Sequence, residues 1–374
     1  MEAPNPDHSG AFEADLQFAL EIAARAPSSH NVQPWSLARA EPDAPGVTAR
    51  LVLALDRERC LQALPQAHEL EMHLSCGAYL EALVMGLAAR GWQAGVSVAD
   101  ATRETLPGSL EPLATVRVTG LVGQGTRQEA ERRCASALHR RTHRGVYQGE
   151  AIPQGVAEAV CAPHTFAFPP VRGESDHAVA WQLIDSPEVL QKAADFVSRH
   201  ASIEFTHAGN WAETYSCLRF YDSAGTEDGM PIASLLGPIP SWQRPVLQAL
   251  LAPAAMRGLG RLGLARSLAG QLGDRVREAS ALLYGFMPSE GADPGTELAA
   301  GAQMFVVWLA LTDRGLSLHP ISVVLQHDSL RGELQRQLAL PHGRGFFFAR
   351  VGSADDSVEA TPRRFPDART LIRI

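Results

Sequence analysis

The sequence predicts an α+β chain built as two similar halves. Three observations carry this. Stretches with apolar residues at helical spacing alternate with short apolar runs bounded by turn residues. The broad order of helix, turn, strand and long helix occurs on both sides of residues 123–140. The chain has 374 residues, more than one typical domain, which suits two fused units or one large one. No short repeat accompanies the order and no identity between the halves is visible, so the division rests on pattern.

Taken in order, residues 1–11 read as a loose start. Phe12 to Ala26 carries apolar residues at helical spacing and reads as the first helix. Ser36–Ala40 is a short strand, and Leu51–Asp56 is apolar enough to be an internal one. Ala67–Arg90 is a long helix with Leu70, Leu74, Leu80, Leu83 and Leu87 on one face, stopped by Gly91. Its small-residue step Ser75-Cys-Gly-Ala78 predicts close packing against another helix, as at a subunit or pseudo-subunit interface. Gln93–Ala99 and Ala114–Val122 read as strands. Thr126–Leu138 is a polar helix. Ser186 and Pro187 open another helix as N-cap and first residue, and that helix, or a pair of them, reaches about Phe220. Residues 221–240 form a loop, and Pro245–Tyr284 is helical with interruptions. Thr296–Asp313 is a buried helix capped by Gly315. Leu316–Val324 is strand-like, Ser329–Leu340 a short helix, and Arg344–Gly352 a buried strand. The tail from Thr361 is basic.

The bulk numbers exclude several function classes. Hydrophobic residues are 45% and charged residues 20%, an ordinary globular composition. A net charge of −8 argues against a general nucleic-acid or anionic-membrane role. The start is polar and acidic, unlike a signal peptide, and no apolar run reaches bilayer-spanning length. Five cysteines without a C-x-x-C pair give neither a disulfide framework nor a zinc site and fit a reducing cytoplasm. No metal centre is expected.

Ala26–Trp35 reads A-P-S-S-H-N-V-Q-P-W. Pro27 fixes φ, Ser28, Ser29 and Asn31 present short polar groups near the turn, and Pro34 holds Gln33 extended. Trp35 is a bulky anchor whose indole N–H needs a partner. Such a turn suits a flat polar heterocycle or a phosphate; a Pro-rich turn pinned by a core tryptophan is the plainer alternative. Later, R-R-T-H-R places Arg140, Arg141 and Arg144 around Thr142. Guanidiniums at that density clasp a phosphate, or simply end a helix favourably in solvent.

The first string resembles the flavin-binding turn A-P-S-x-x-N-x-Q-P-W of the nitroreductase family, with each fixed position present. R-R-T-H-R is similar to that family's R-R-S-x-R phosphate segment. Gly315-Leu-Ser-Leu-His-Pro-Ile-Ser-Val resembles its Gly-Leu…Pro-Ile-Glu-Gly crossing, with Ser322 and Val323 replacing Glu and Gly. Thr361-Pro-Arg-Arg364 resembles its closing basic segment. The resemblance implies a nitroreductase-like fold with central antiparallel or mixed sheets flanked by long helices. It further implies a fused dimer like the Acg-like subfamily: residues 1–122 as the first half, 123–374 as the second, and 237–289 as a possible lid-like insertion.

On the same resemblance, Pro27, Ser28, Ser29, Asn31 and Gln33 meet the flavin. Arg140, Arg141, Thr142, Arg144, Arg363 and Arg364 hold mainly its phosphate, and Pro320, Ile321 and Ser322 lie by its N5 edge. His319 either points into the site or packs beside Pro320. Residues 1–24 contain no Arg or Lys, and no second turn follows Arg144, so one FMN per chain is expected. The implied activity is hydride transfer from NAD(P)H to FMN and then to a small planar acceptor, with no protein side chain as catalytic group. The alternative is a flavin store or sensor with little turnover. Partners are a small-molecule substrate but no nucleic acid, and the chain is a pseudo-dimeric monomer or a homodimer in the cytoplasm.

Gly258-Leu-Gly-Arg-Leu-Gly263 spells a dinucleotide fingerprint, but no bounded strand precedes it. An amphipathic helical hairpin fits better, hinged at Gly237–Pro240 and Met287–Ser289. It reads as a cover over the cleft or a partner surface. The lack of an aromatic anchor between Leu247 and Leu283 argues against a membrane surface.

Overall fold

Helix α1 (Pro6–Ala23) buries Phe12, Leu16, Ala19, Leu20 and Ala23, the stripe its spacing dictates. It starts earlier than predicted, at a proline that suits a helix's first turn. The computed structural model describes residues 6–99, 101–161, 164–168, 179–221, 227–289, 291–354 and 361–374. Strands β1 (Trp35–Ala40) and β2 (Ala49–Asp56) follow, then helix α2 (Pro65–Ala89), β3 (Trp92–Ser97) and β4 (Leu110–Leu121). Gly91, at φ 93°, turns the chain out of α2 as expected.

Helix α3 (Gln124–His139) opens the second unit, followed by α4 (Val156–Cys161) and β5 (Ala180–Ile184). Where the sequence predicts one helix or a pair after Ser186, there are three: α5 (Pro187–His200), α6 (Ser202–Thr206) and α7 (Ala208–Ser216). Short strands β6 (Leu218–Arg219) and β7 (Met230–Pro231) pair in parallel, and α8 (Ala233–Leu236), α9 (Arg244–Leu251), α10 (Pro253–Leu259) and α11 (Leu264–Arg277) complete a helical segment. The helical reading of Pro245–Tyr284 fails at its end, where Ala281–Met287 is strand β8. A continuous apolar run is ambiguous between buried strand and buried helix. Then come α12 (Pro294–Thr312), β9 (Leu316–Pro320), α13 (Asp328–Leu338), β10 (Arg344–Ser353) and β11 (Ile372–Arg373).

One sheet has the order β11-β1-β2-β4-β3 and the other β5-β8-β10-β9. Without β11 the two are the same: four antiparallel strands, with a long helix between the second and third in sequence. The two sheets therefore share one strand topology, although no identity between the corresponding stretches is visible. The units differ in one connection. Only Glu41–Thr48 joins β1 to β2, whereas residues 185–280, with seven α-helices among the described residues, join β5 to β8. The chain end then crosses back, so that β11 adds a parallel edge strand to the first sheet through Ala38↔Ile372 and Arg39↔Arg373.

Helices α2 and α12 cross at the centre. Gly77 faces the Leu298 carbonyl, Gly301 faces the Leu74 carbonyl, and both glycine Cα atoms lie against backbone. The small-residue step thus does what its composition predicts. Every residue from Met72 to Ala89 is buried, not one face alone. Both helices are long and apolar enough to cross a bilayer, contrary to the sequence reading, but they are core helices here, 100% and 83% buried. Across the same junction His73 Nδ1 meets Glu297 Oε2 at 2.5 Å, and Arg344 Nη1 donates to Glu297 Oε1 at 3.0 Å.

Candidate functional site

The turn after α1 is a left-handed run. His30, Asn31 and Gln33 have φ of 47°, 56° and 51°, a conformation that costs non-glycine residues energy unless the surroundings impose it. Here they do. Gln33 N–H donates to Ser28 Oγ at 3.0 Å, closing the turn on itself. Asn31 Nδ2 donates to the Gly229 and Pro362 carbonyls, both at 2.9 Å. Trp35 is 1% exposed and stacks on Tyr79 at 4.8 Å. Its Nε1 has no hydrogen-bond partner among the described residues, so the indole anchors by packing.

Two distant segments converge on this turn. At the end of α3, Arg140 leaves the helix with ψ 129°, and Thr142 forms a parallel bridge to Leu318 while His143 N–H donates to the Leu318 carbonyl at 3.0 Å. An extended backbone sets alternate side chains on one face, and Arg140, Thr142 and Arg144 all reach the same cavity. Arg140 Nη2 donates to the Arg25 carbonyl at 3.1 Å, and Arg363 Nη1 to the Ala26 carbonyl at 2.7 Å and Asn31 Oδ1 at 3.2 Å. The start, middle and end of the chain thus meet within hydrogen-bond distance.

Arg25, Arg140, Arg141 and Arg363 surround one small recess with no acidic residue in its wall. Arg140 is 4% exposed, its guanidinium lies 4.6 Å from the Trp308 ring centre, and its Nε and Nη1 have no hydrogen-bond partner among the described residues. Burial, then the charges of Arg363, Arg141 and Arg25, hold its pKa well below the usual arginine value. Burial and the same neighbours bring Arg363 down to about 10, and burial with Arg350 brings Arg144 to about 10. Unpaired, buried positive charge of this kind is stabilised by an anion.

The recess adjoins a cavity of about 1000 Å³. Its floor contains Pro27, Ser28, Ser29, His30 and Asn31 from the turn, Glu71 and Ser75 from α2, and Trp308 from α12. The end of β9 supplies His319, Pro320 and Ser322. Glu71 accepts from Ser29 Oγ and from Gln326 Nε2 at 2.8 Å. His319 Nδ1 accepts from Arg350 Nε at 3.0 Å, and burial pushes its pKa well below the ordinary value, so its remaining nitrogen is an N–H donor. Burial likewise brings His30 to about 4, with His68 and Arg144 adding to the effect. The roof is apolar: Leu247, Leu250 and Leu251 of α9 and Leu264, Leu268 and Leu272 of α11.

Ten of the fourteen predicted site residues therefore line the cavity: Pro27, Ser28, Ser29, Asn31, Arg140, Thr142, Arg144, Pro320, Ser322 and Arg363. Arg141 lies in the recess instead, with Nη1 bonded to the Leu138 and Arg140 carbonyls. Ile321 is 2% exposed and packs in the second core. Gln33 and Arg364 are fasteners. Gln33 Oε1 accepts from Arg364 N–H at 2.9 Å, Gln33 Nε2 donates to the Glu227 carbonyl at 2.7 Å, and Arg364 Nη2 donates to the Trp35 carbonyl at 2.6 Å. Gln33→Ala is expected to cost about 1–3 kcal/mol by orphaning these buried groups, read as a lower urea midpoint. An unchanged midpoint would remove Gln33 from the fastening. The sequence reading missed Arg25, one residue beyond the window searched for basic residues, and Glu71, whose place on a long helix gave no signal. For the G-x-G-x-x-G string, a helix and not a strand precedes Gly260, so the dinucleotide reading is excluded.

No family model matches the chain. Among curated proteins it is 31% identical over 355 residues, 94% of its length and 92% of the relative's, to the probable NAD(P)H nitroreductase PigM of Serratia sp. (strain ATCC 39006). The chain belongs to the nitroreductase family. A further match, 34% identical over 131 residues and 34% of each chain, is to an uncharacterized protein of Mycobacterium tuberculosis (strain ATCC 25618 / H37Rv). Among solved structures, a protein from Anabaena variabilis ATCC 29413 described as a nitroreductase superposes with a TM-score of 0.53 at 10% identity, covering 95% of this chain and 90% of that one. The nitroreductase fold thus extends over nearly the whole chain, including both sheets.

Proposed function

We propose that this nitroreductase-family chain is an FMN-dependent NAD(P)H oxidoreductase that binds one FMN per chain in the cavity between its two units. The observation that carries the proposal is Arg140, a buried guanidinium with two unpartnered nitrogens in a recess of four arginines. A phosphate group fits that donor set: permanently charged, planar, and without a competing carboxylate. Arg140, Arg363, Arg25 and Arg141 hold the phosphate, with Thr142 and Arg144 beside it. Ser28, Ser29, Asn31, Pro320 and Ser322, which line the same cavity, would meet the ring system.

When bound, FMN would supply the redox chemistry, a relay of hydride from a reduced nicotinamide to a second small molecule. The protein's task is to position both partners and exclude water. His319, fixed as a neutral donor by Arg350, offers an N–H to the bound molecules. The leucine roof keeps the dry side of the chamber dry. Such a volume lies at the top of the range for ligand sites, roughly 300–1,000 Å³, and leaves room for an apolar acceptor beside the cofactor, which favours turnover over storage. On this reading residues 1–122 and 123–374 are the two fused halves, and the segment between β5 and β8 is a lid on the second. Its range is wider than 237–289 at the front and stops before β8.

Purified protein is expected to be yellow, with a flavin-to-protein ratio near one, and its absorbance to bleach on rapid mixing with NADPH or NADH. A colourless protein that takes up no FMN on reconstitution overturns the binding claim. Bound flavin that does not bleach with either nicotinamide overturns the reductase claim and leaves a flavin store.

A further inference from the structure

Residues Gly229 to Gly273 contain no Asp or Glu, although the whole chain carries a net charge of −8. The same stretch holds Arg244, Arg257, Arg261 and Arg266. Arg257, Arg261 and Arg266 are exposed, and none of the three makes an ion pair among the described residues. Charge of one sign, segregated to one surface segment of an acidic protein, is a footprint for an anionic partner.

The same segment is also unusually apolar on its outer side. Trp242, Val246 and Leu250 are 71%, 54% and 41% exposed. Their spacing of four residues places them on one face of α9 and the turn before it. Leu236 is 48% exposed and Leu262, in the turn between α10 and α11, is 85% exposed. Burying α9's other side against the core does not explain this outer stripe, since Leu247 and Leu251 already face inward. Leu236 and Leu250 do both: each lines the cavity and each is exposed, so the rim of the chamber is itself part of the apolar surface.

We infer that the α8–α11 face docks on the surface of an anionic lipid bilayer, with Trp242, Val246, Leu250 and Leu262 in the headgroup–acyl boundary and Arg257, Arg261 and Arg266 against the lipid headgroups. Apolar residues flanked by arginine and free of acids are the pattern of an interfacial helix. Trp242 supplies the aromatic anchor that the stretch from Leu247 to Leu283 lacks. A second copy of the chain fits less well, because the same segment of a partner, without Asp or Glu from Gly229 to Gly273, brings no acid to pair with the arginines. The rim at Leu236 and Leu250 then opens toward the bilayer, and an apolar substrate can pass from lipid into the leucine-lined chamber without crossing water.

The test is sedimentation of the full-length protein with vesicles of phosphatidylcholine alone or mixed with phosphatidylglycerol, followed by tryptophan emission. The protein is expected to sediment with the mixed vesicles and shift its emission to the blue, and to remain in the supernatant with phosphatidylcholine. W242S combined with L262S is expected to weaken partitioning at least about tenfold. R257Q, R261Q and R266Q combined are expected to weaken it about a hundredfold. All five positions are exposed, so melting temperatures should match the parent's and folding is separated from docking. Failure to sediment with phosphatidylglycerol vesicles overturns the inference. So does equal partitioning of parent and variants, or light scattering that shows a dimer dispersed by W242S. None of these readouts depends on flavin, so their failure is distinct from failure of the redox reading.

Discussion

Gly77→Ala is expected to destabilise the protein by about 3 kcal/mol or more, at the upper end for overpacking a core. A methyl group there would fall inside the contact distance of the Leu298 carbonyl oxygen and close to its carbonyl carbon and Cα. Backbone cannot rotate away as a side chain can, so α2 and α12 must separate. That separation also disturbs the reciprocal contact of Gly301 with Leu74, and the buried His73–Glu297–Arg344 junction between the units. Gly301→Ala is expected to behave alike, and the double variant to cost less than the sum, because the first substitution already opens the crossing. Gly270→Ala in α11 is the control. Nothing lies within 4 Å of the added carbon, so the change should stabilise by about 0.4–1 kcal/mol through the unfolded chain. Urea midpoints read all four. If Gly77→Ala matches Gly270→Ala, the helices do not cross this closely.

That crossing was legible in the sequence because small residues inside a long apolar helix have few other uses. The strand pairing was not. β11 is two residues long, and nothing in Ile372–Arg373 says that it returns to β1, since a pairing partner more than three hundred residues away leaves no local signal. β8 was misread because a buried strand and a buried helix share composition. For the site, the residues whose type is unusual for their place were legible: a proline-bounded polar turn, and three arginines in five residues. Gln33 and Arg364 were assigned to the ligand because motif positions do not reveal whether a polar group faces the ligand or braces the loop. In the structure the Gln33 amide bonds the Arg364 N–H and the Glu227 carbonyl, and Arg364 Nη2 bonds the Trp35 carbonyl. The leucines of α9 and α11 have ordinary core spacing, and only the fold tells that their inner face meets a chamber.

Arg140→Leu is expected to weaken FMN binding about a hundredfold or more, the usual cost of truncating one partner of a buried hydrogen-bonded charge pair. The flavin-free protein is expected to melt no lower than the parent. The two effects have opposite origins. Without an anion, the parent holds a buried guanidinium with two unpartnered nitrogens among three like charges, and replacing it with an apolar side chain removes that penalty. What is lost in exchange is one hydrogen bond to the Arg25 carbonyl and the contact with the Trp308 ring, roughly 1–3 kcal/mol together. Arg363→Leu should differ, because Arg363 also ties the Ala26 carbonyl and Asn31 Oδ1. Both its flavin affinity and its flavin-free melting temperature should fall. Fluorescence titration with FMN and melting of the stripped proteins give the four numbers. If Arg140→Leu keeps parental affinity, the phosphate lies elsewhere. If it lowers the flavin-free melting temperature as far as Arg363→Leu does, Arg140 is a scaffold residue and the arginine recess loses its claim to be an anion site.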